Sequence, residues 1–257
     1  MNLKNQNKRL EKICSKYTEK IKSVAHVGAH LGQEVLIYEK FCNDYIYLFE
    51  PQKNVFRKLE KNTKDFNNVI LFNFALGSEN TITKLNKSST NDGASSSILQ
   101  PELHTSLHEE IKFLEIEEIE VRRFDSLNIN DVNFLTIDVQ GFELEVLKGF
   151  GNSIRDLDFI FTEVNRDYVY KENVLIKDLD NELENKGFMR INTFWDSYHP
   201  YGDAFYINKK FLSKRVITIS KVTKKFFDSK LNILILRIIN YEKTIFKIKK
   251  FIKNILK

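Results

Sequence analysis

Ser23-Val-Ala-His-Val-Gly-Ala-His-Leu-Gly32 decides how this chain is to be read. A short run of strand character breaks at Gly28, a second glycine follows at Gly32, and residues 32–41 carry a helical pattern. The next run, Tyr45-Ile-Tyr-Leu-Phe49, is apolar without alternation, as in a strand buried on both faces. It stops at Glu50-Pro51, and residues 54–62 are again helical. Val69-Ile-Leu-Phe-Asn-Phe74 predicts a third buried strand, and Ile119-Glu-Val121 alternates like an edge strand. Phe134-Leu-Thr-Ile-Asp138 and Phe159-Ile-Phe-Thr-Glu163 repeat the buried pattern, each with a helix after it, at 143–150 and 174–186. Gly187 stands at the C-cap of the second. Two last strands, 188–194 and 204–207, are joined only by the loop 195–203. Upstream, residues 2–22 predict a polar helix marked by Leu10, Ile13, Tyr17 and Ile21.

Strands alternating with helices predict a mainly parallel α/β sheet covered on both faces. The closing pair must be antiparallel, because a parallel pair needs a crossover. Ligands of such sheets bind beyond the carboxyl ends of the strands. Gly28 and Gly32 allow close backbone approach there, although such a turn is also an ordinary tight connection from strand to helix. Glu50 ends the next strand, where a carboxylate can accept both hydroxyls of a ribose, or simply stand solvated. The two in register favour a nucleoside-containing ligand. The usual dinucleotide G-x-G-x-x-G is absent.

At this point the sequence resembles the FkbM-type methyltransferases. The resemblance rests on Val27-Gly-Ala-His-Leu-Gly-Gln-Glu34, Phe49-Glu-Pro51, Ala75-Leu-Gly77, Ser95-Ser-Ser97, Phe124-Asp-Ser-Leu127 and, most specifically, Leu135-Thr-Ile-Asp-Val-Gln-Gly-Phe-Glu-Leu-Glu-Val-Leu-Lys-Gly149. It implies a Rossmann-like class I methyltransferase sheet, mostly parallel with a C-terminal antiparallel hairpin. It implies methyl transfer from S-adenosyl-L-methionine to a hydroxyl, often of a sugar or polyketide-like product. Val27, Gly28, His30 and Gly32 are then expected along the cofactor, Glu50 on its ribose, and Asn73 and Ala75 beside its adenine. One departure is His26, where the family usually has an acid that helps hold the cofactor's amino-acid end; Glu34 is the candidate to compensate. The alternative reading is a non-catalytic nucleoside-binding or scaffold member of the same fold.

A hydroxyl nucleophile must lose its proton to a base or through a metal that lowers its pKa. Asp138 and Glu163 end neighbouring predicted strands. Either is a candidate base, or both are candidate Mg²⁺ ligands; hydrogen bonding to nearby backbone is the plainer role. Asp138 is expected beside the cofactor as well. Gln140 shapes the following turn, and Glu143 opens a helix, where an acid suits the dipole. Ser96, Gln140 and His199 are expected on the acceptor side, His199 within the aromatic loop Trp195–Asp203. His104 and His108 share a helix face, more simply a solvated one than a metal pair. Residues 88–97 are either a surface loop or a cover over substrate.

Charge divides the chain. Net charge is +5 overall. Residues 211–257 hold 13 Lys/Arg against Asp228 and Glu242, which is +11 and leaves −6 elsewhere. In this segment apolar residues recur from Leu231 to Ile255 at helical spacing, with Lys243, Lys247, Lys250 and Lys257 opposite. Such a basic amphipathic helix suits an anionic membrane surface, or docks on the catalytic domain or a partner. No motif for specific nucleic-acid binding is present. Cys14 and Cys42 form no CxxC or zinc spacing, and Met1–Leu10 is too polar for a signal peptide. The expected location is the cytoplasm, with peripheral contact at the inner face of the membrane. The expected organisation is an N-terminal helix at 1–22, a methyltransferase domain at 23–210 and a tail at 211–257.

Overall fold

Short runs of apolar residues form the main sheet, the central ones buried on both faces; the run Val69–Phe72, expected to be buried, lies at the sheet edge with Ile70 36% exposed. The computed structural model describes residues 3–212 other than Ser197; the basic amphipathic helix expected in the tail lies outside these. In chain order the elements are α1 (Leu3–Tyr17), β1 (Ser23–Val27), α2 (Val35–Phe41), β2 (Ile46–Phe49), α3 (Lys53–Thr63) and β3 (Val69–Phe72). There follow β4 (Ala75–Leu76), β5 (Thr81–Ser88), α4 (Leu103–Leu107), β6 (Phe113–Arg122), β7 (Val132–Ile137) and α5 (Glu143–Gly149). Last come β8 (Phe159–Asn165), α6 (Ile176–Asn185), β9 (Phe188–Trp195) and β10 (Tyr201–Asn208).

Seven strands form the main sheet in the order β3-β2-β1-β7-β8-β10-β9. The first five run parallel, and β10 returns antiparallel between β8 and β9. The chain reverses direction across the sheet between β1 and β7, and that is where a cleft opens. One face packs Leu10, Ile13 and Cys14 of α1 with Val35 and Tyr38 of α2. The other packs Val146, Leu147, Leu179 and Leu183 of α5 and α6. Among the described residues no helix is long and apolar enough to cross a membrane.

Three boundaries differ from expectation for physical reasons. The helix expected from Gly32 starts at Val35, because Gly28, His30 and Gly32 all take positive φ (+82°, +49° and +76°) and hold residues 28–34 as a turn. The loop before the last strand shrinks to residues 196–200, because Trp195 and Tyr201 extend the hairpin. The edge strand expected at 119–121 is the end of a longer one, β6, in a separate three-stranded sheet of order β4-β6-β5. That sheet caps the cleft.

Candidate active site

The cleft lies past the carboxyl ends of β1, β2 and β7. Val27, Gly28, His30, Glu50, Ala75 and Asp138 line it, beside the apolar groups of Phe49, Leu76, Leu85, Ile98 and Phe142. Buried Glu50 accepts the backbone N–H of His30 on Oε2 (3.1 Å) and of Gln52 on Oε1 (2.8 Å). Each oxygen keeps a further lone pair for a ligand hydroxyl. Burial pushes this carboxyl up to about 7.

Two expected cofactor residues stand elsewhere. The open side of Gly32 faces Leu59 and Thr63 of α3, so this glycine serves helix packing. Asn73 donates to the carbonyls of Glu50 and Pro51 (2.9 and 3.1 Å), fixing the end of β2 from behind. It borders a different hollow, with Pro51, Lys53 and Asn80.

Asp138 follows β7 and is gripped by two carboxamides. Gln140 Nε2 donates to its Oδ1 (2.7 Å) and also to Glu163 Oε2 (3.1 Å), so one amide joins the two carboxyl groups. Gln140 takes φ +56°, a left-handed conformation uncommon outside glycine, just before Gly141 at +100°. Glu143, 0% exposed, ties that turn by accepting the N–H of Gly141 (3.0 Å) and Val139 (3.4 Å). It faces inward and holds the turn, from the first turn of α5 where an acid was expected. Burial, then the charges of Asp138, Glu143 and Asp203, hold Glu163 well above the usual carboxylate range. Burial thus favours the protonated form of Glu163. Gln140 stands between the two carboxyls and donates to both. Among the described residues no group of three or more His, Cys, Asp or Glu is disposed to hold a metal.

His26 is buried and pushed down to about 3 by burial, so it is neutral. Its Nδ1 lies 3.2 Å from the Tyr38 hydroxyl and 4.0 Å from Glu34 Oε2. Burial, with the Asp138 charge as a smaller cause, pushes Glu34 up to about 7. An acid thus lies close to position 26, supplied from the start of α2.

A second cavity, about 490 Å³, adjoins the first and shares His30, Ala94, Asp138 and Gln140 with it. Glu163, Asn165, Tyr170, Tyr201, His104 and His108 also line it. Residues 88–97 cover both cavities: Gly93 and Ser96 face the first, Asp92 and Ser95 the second, and Ala94 both. Ser96 Oγ donates to Gln52 Oε1 (3.1 Å) on the wall of the first cavity. His199 does not line the cavity. It stacks behind Tyr201 and His108, with ring centroids 5.1 and 5.0 Å away, and is held by Asp196 at 2.8 Å. His104 is buried rather than solvated, its ring 5.0 Å from His108 and 5.2 Å from Tyr170.

Sequence reasoning placed the helix α1 but gave it no part in the site. Gln6 on this helix lines the second cavity, and Arg9 forms a 2.6 Å ion pair with fully buried Asp203. Only the helical spacing of Leu10 and Ile13 signalled that α1 packs on the sheet.

Sheet order, closing hairpin and paired cavities at the strand ends define a class I methyltransferase fold. The chain belongs to the FkbM methyltransferase family: residues 26–189 match the methyltransferase FkbM domain. It is 25% identical over 135 residues to the 2-O-methyltransferase NoeI of Sinorhizobium fredii (strain NBRC 101917 / NGR234), covering 49% of this chain and 56% of the relative. It aligns with the crystal structure of methyltransferase FkbM from Methylobacillus flagellatus KT at a TM-score of 0.50, with 13% identity, covering 73% of this chain and 43% of that one. The chain spans roughly half the length of each of these relatives.

Proposed function

We propose that the chain is an S-adenosyl-L-methionine-dependent O-methyltransferase acting on a hydroxyl of a sugar or glycan intermediate. The observation that carries this reading is the meeting of two cavities at Asp138 and Gln140, one beside Glu50 and one lined by tyrosines, histidines and carboxyl groups. The relative named for 2-O-methyl transfer supports a hydroxyl acceptor. When bound, S-adenosylmethionine supplies a sulfonium methyl, whose C–S bond breaks as the acceptor oxygen forms its bond to carbon. Asp138 takes the hydroxyl proton. Gln140 aims Asp138 through the 2.7 Å bond. Protonated Glu163 offers a hydrogen bond on the acceptor side. Tyr170 and Tyr201 give flat faces against which a sugar ring can pack. Much of the acceleration is alignment of the reacting atoms.

Calorimetry is the first test. The chain is expected to bind S-adenosylmethionine or its demethylated product, and NAD far more weakly. Glu50→Ala is expected to weaken binding by about 1.5–3 kcal/mol, the scale of hydrogen bonds to a charged group. Unchanged affinity would remove Glu50 from the site. No binding by the parent chain would leave the scaffold reading.

The basic tail supports a cytoplasmic protein held peripherally on anionic membrane. Each Lys or Arg near such a surface contributes about 1 kcal/mol, screened by salt. The full chain is expected to co-sediment with anionic liposomes and to release only partly at high salt. Phe211 stacks on Phe159 (5.7 Å), so the comparison chain should end after Leu212. Indifference of the full chain to liposomes at low salt overturns the membrane reading.

A further inference from the structure

Helix α1 reaches the active site from the far end of the sequence. Gln6 is buried there at 7% exposure. Its Nε2 lies 3.3 Å from Asp138 Oδ2 and 3.3 Å from Asp203 Oδ1. A primary amide has two N–H groups, and each meets one carboxylate. Arg9, one helical turn on, is bonded to the other oxygen of Asp203 and to the carbonyl of Phe194 (2.6 and 3.2 Å). Asp203 pairs with Glu163 in the register of β10 and β8. Asp138, Glu163 and Asp203 are thus linked by carboxamides from two distant segments, Gln6 on one side and Gln140 on the other. Leu10, Ile13 and Cys14 anchor the helix in the core.

We propose that α1 is part of the active site and that Gln6 is a positioning residue, fixing the plane of the Asp138 carboxyl group and aiming it at the acceptor cavity. The role rests on the methyltransferase reading for its purpose, and on geometry for its existence. Carboxyl groups packed this closely do not all ionise. Glu34, Glu143, Glu163 and Asp203 all act on Asp138 or are acted on by it. Arg9 offsets the charge of Asp203. Asp138 has instead two neutral donors, one on each oxygen. Donors to the charged form favour it, and donors on both oxygens also fix the plane of the carboxylate.

The test follows the carboxyl ¹³C resonance of Asp138 against pH in the full chain, assigned by its loss in Asp138→Asn. No acceptor or cofactor is needed. Gln6→Met keeps the side-chain length and removes both donors, and is expected to raise the Asp138 midpoint by about one pH unit. Gln6→Asn draws the amide back by one carbon and is expected to shift it in the same direction. Lys12→Ala, on the exposed face of α1, is expected to leave it unmoved. An unmoved Asp138 midpoint in either Gln6 variant that keeps the parent's thermal stability overturns the proposal. Calorimetry with S-adenosylmethionine on the parent chain keeps the two ideas apart. A shifted midpoint without cofactor binding sinks the enzyme reading alone. Cofactor binding with an unmoved midpoint sinks the role of Gln6 alone.

Discussion

Asp138→Asn is expected to cut methyl transfer by about 10²–10⁴, the usual cost of losing a general base. Affinity for S-adenosylmethionine should stay nearly intact. The substitution keeps the shape of the side chain; its amide nitrogen faces one of the two donors, Gln6 or Gln140, whose amide must turn to accept from it. It removes the group proposed to take the acceptor proton. The measurement is labelled methyl passed from S-adenosylmethionine to a glycoside that the parent chain methylates, with cofactor affinity read in parallel. Glu163→Gln provides the internal comparison. Burial and neighbouring charges favour the protonated form of Glu163, and an amide there matches that form in charge and keeps a donor. Its loss of rate should be much smaller. Equal losses at the two positions would mean that they act as an interchangeable pair. Near-normal turnover by Asp138→Asn would remove it as the base.

That asymmetry was not legible in the sequence, where the two acids look equivalent at strand ends. What separates them is partners: Glu163 faces Asp203 across the β8–β10 ladder, and Asp138 receives an amide on each oxygen. The main sheet itself was legible because its central strands are buried on both faces and so read as unbroken apolar runs. The small sheet was not. In β5, Ile82 is 66% exposed while Asn86, four residues on, is buried, so the strand carries no clean alternation. Glu50, Gly28 and Asp138 were legible because strand ends are fixed by where the apolar runs stop. Asn73 was placed at a strand end too, but spacing does not fix a side-chain rotamer, and its amide turned to the backbone of residues 50 and 51. Gln6 was beyond reach for a different reason. Its partners lie 132 and 197 residues away, and no local pattern records such contacts.

The second large effect concerns the glycine turn, where two residues that look alike should respond differently. At Gly28 a Cβ would sit 1.9 Å from the carbonyl oxygen of Asp138 and 2.9 Å from its carbonyl carbon, with φ at +82°. Both atoms belong to backbone that is itself tied down, since the Asp138 N–H donates to Val27 O at 3.0 Å. No side chain can swing aside, so β1 and β7 must part where the cleft begins. Left-handed strain and overpacking together suggest a loss of about 3 kcal/mol for Gly28→Ala. For a domain of this size that is a fall in melting temperature of roughly 6–12 °C. At Gly32 the nearest atom is Leu59 Cδ1 at 2.8 Å, the end of a flexible side chain. Gly32→Ala keeps the cost of φ +76° but relieves most of the clash by a rotamer change, so about 1–2 kcal/mol is expected. The site should follow the same order. Displacing the Asp138 carbonyl moves the base, so Gly28→Ala should lose turnover beyond its loss of stability, while Gly32→Ala should keep it where folded. Melting curves and cofactor binding on the two variants decide the matter. Equal falls in melting temperature would mean that both positions are limited by φ alone, and the close approach of β1 to Asp138 would carry no energetic weight.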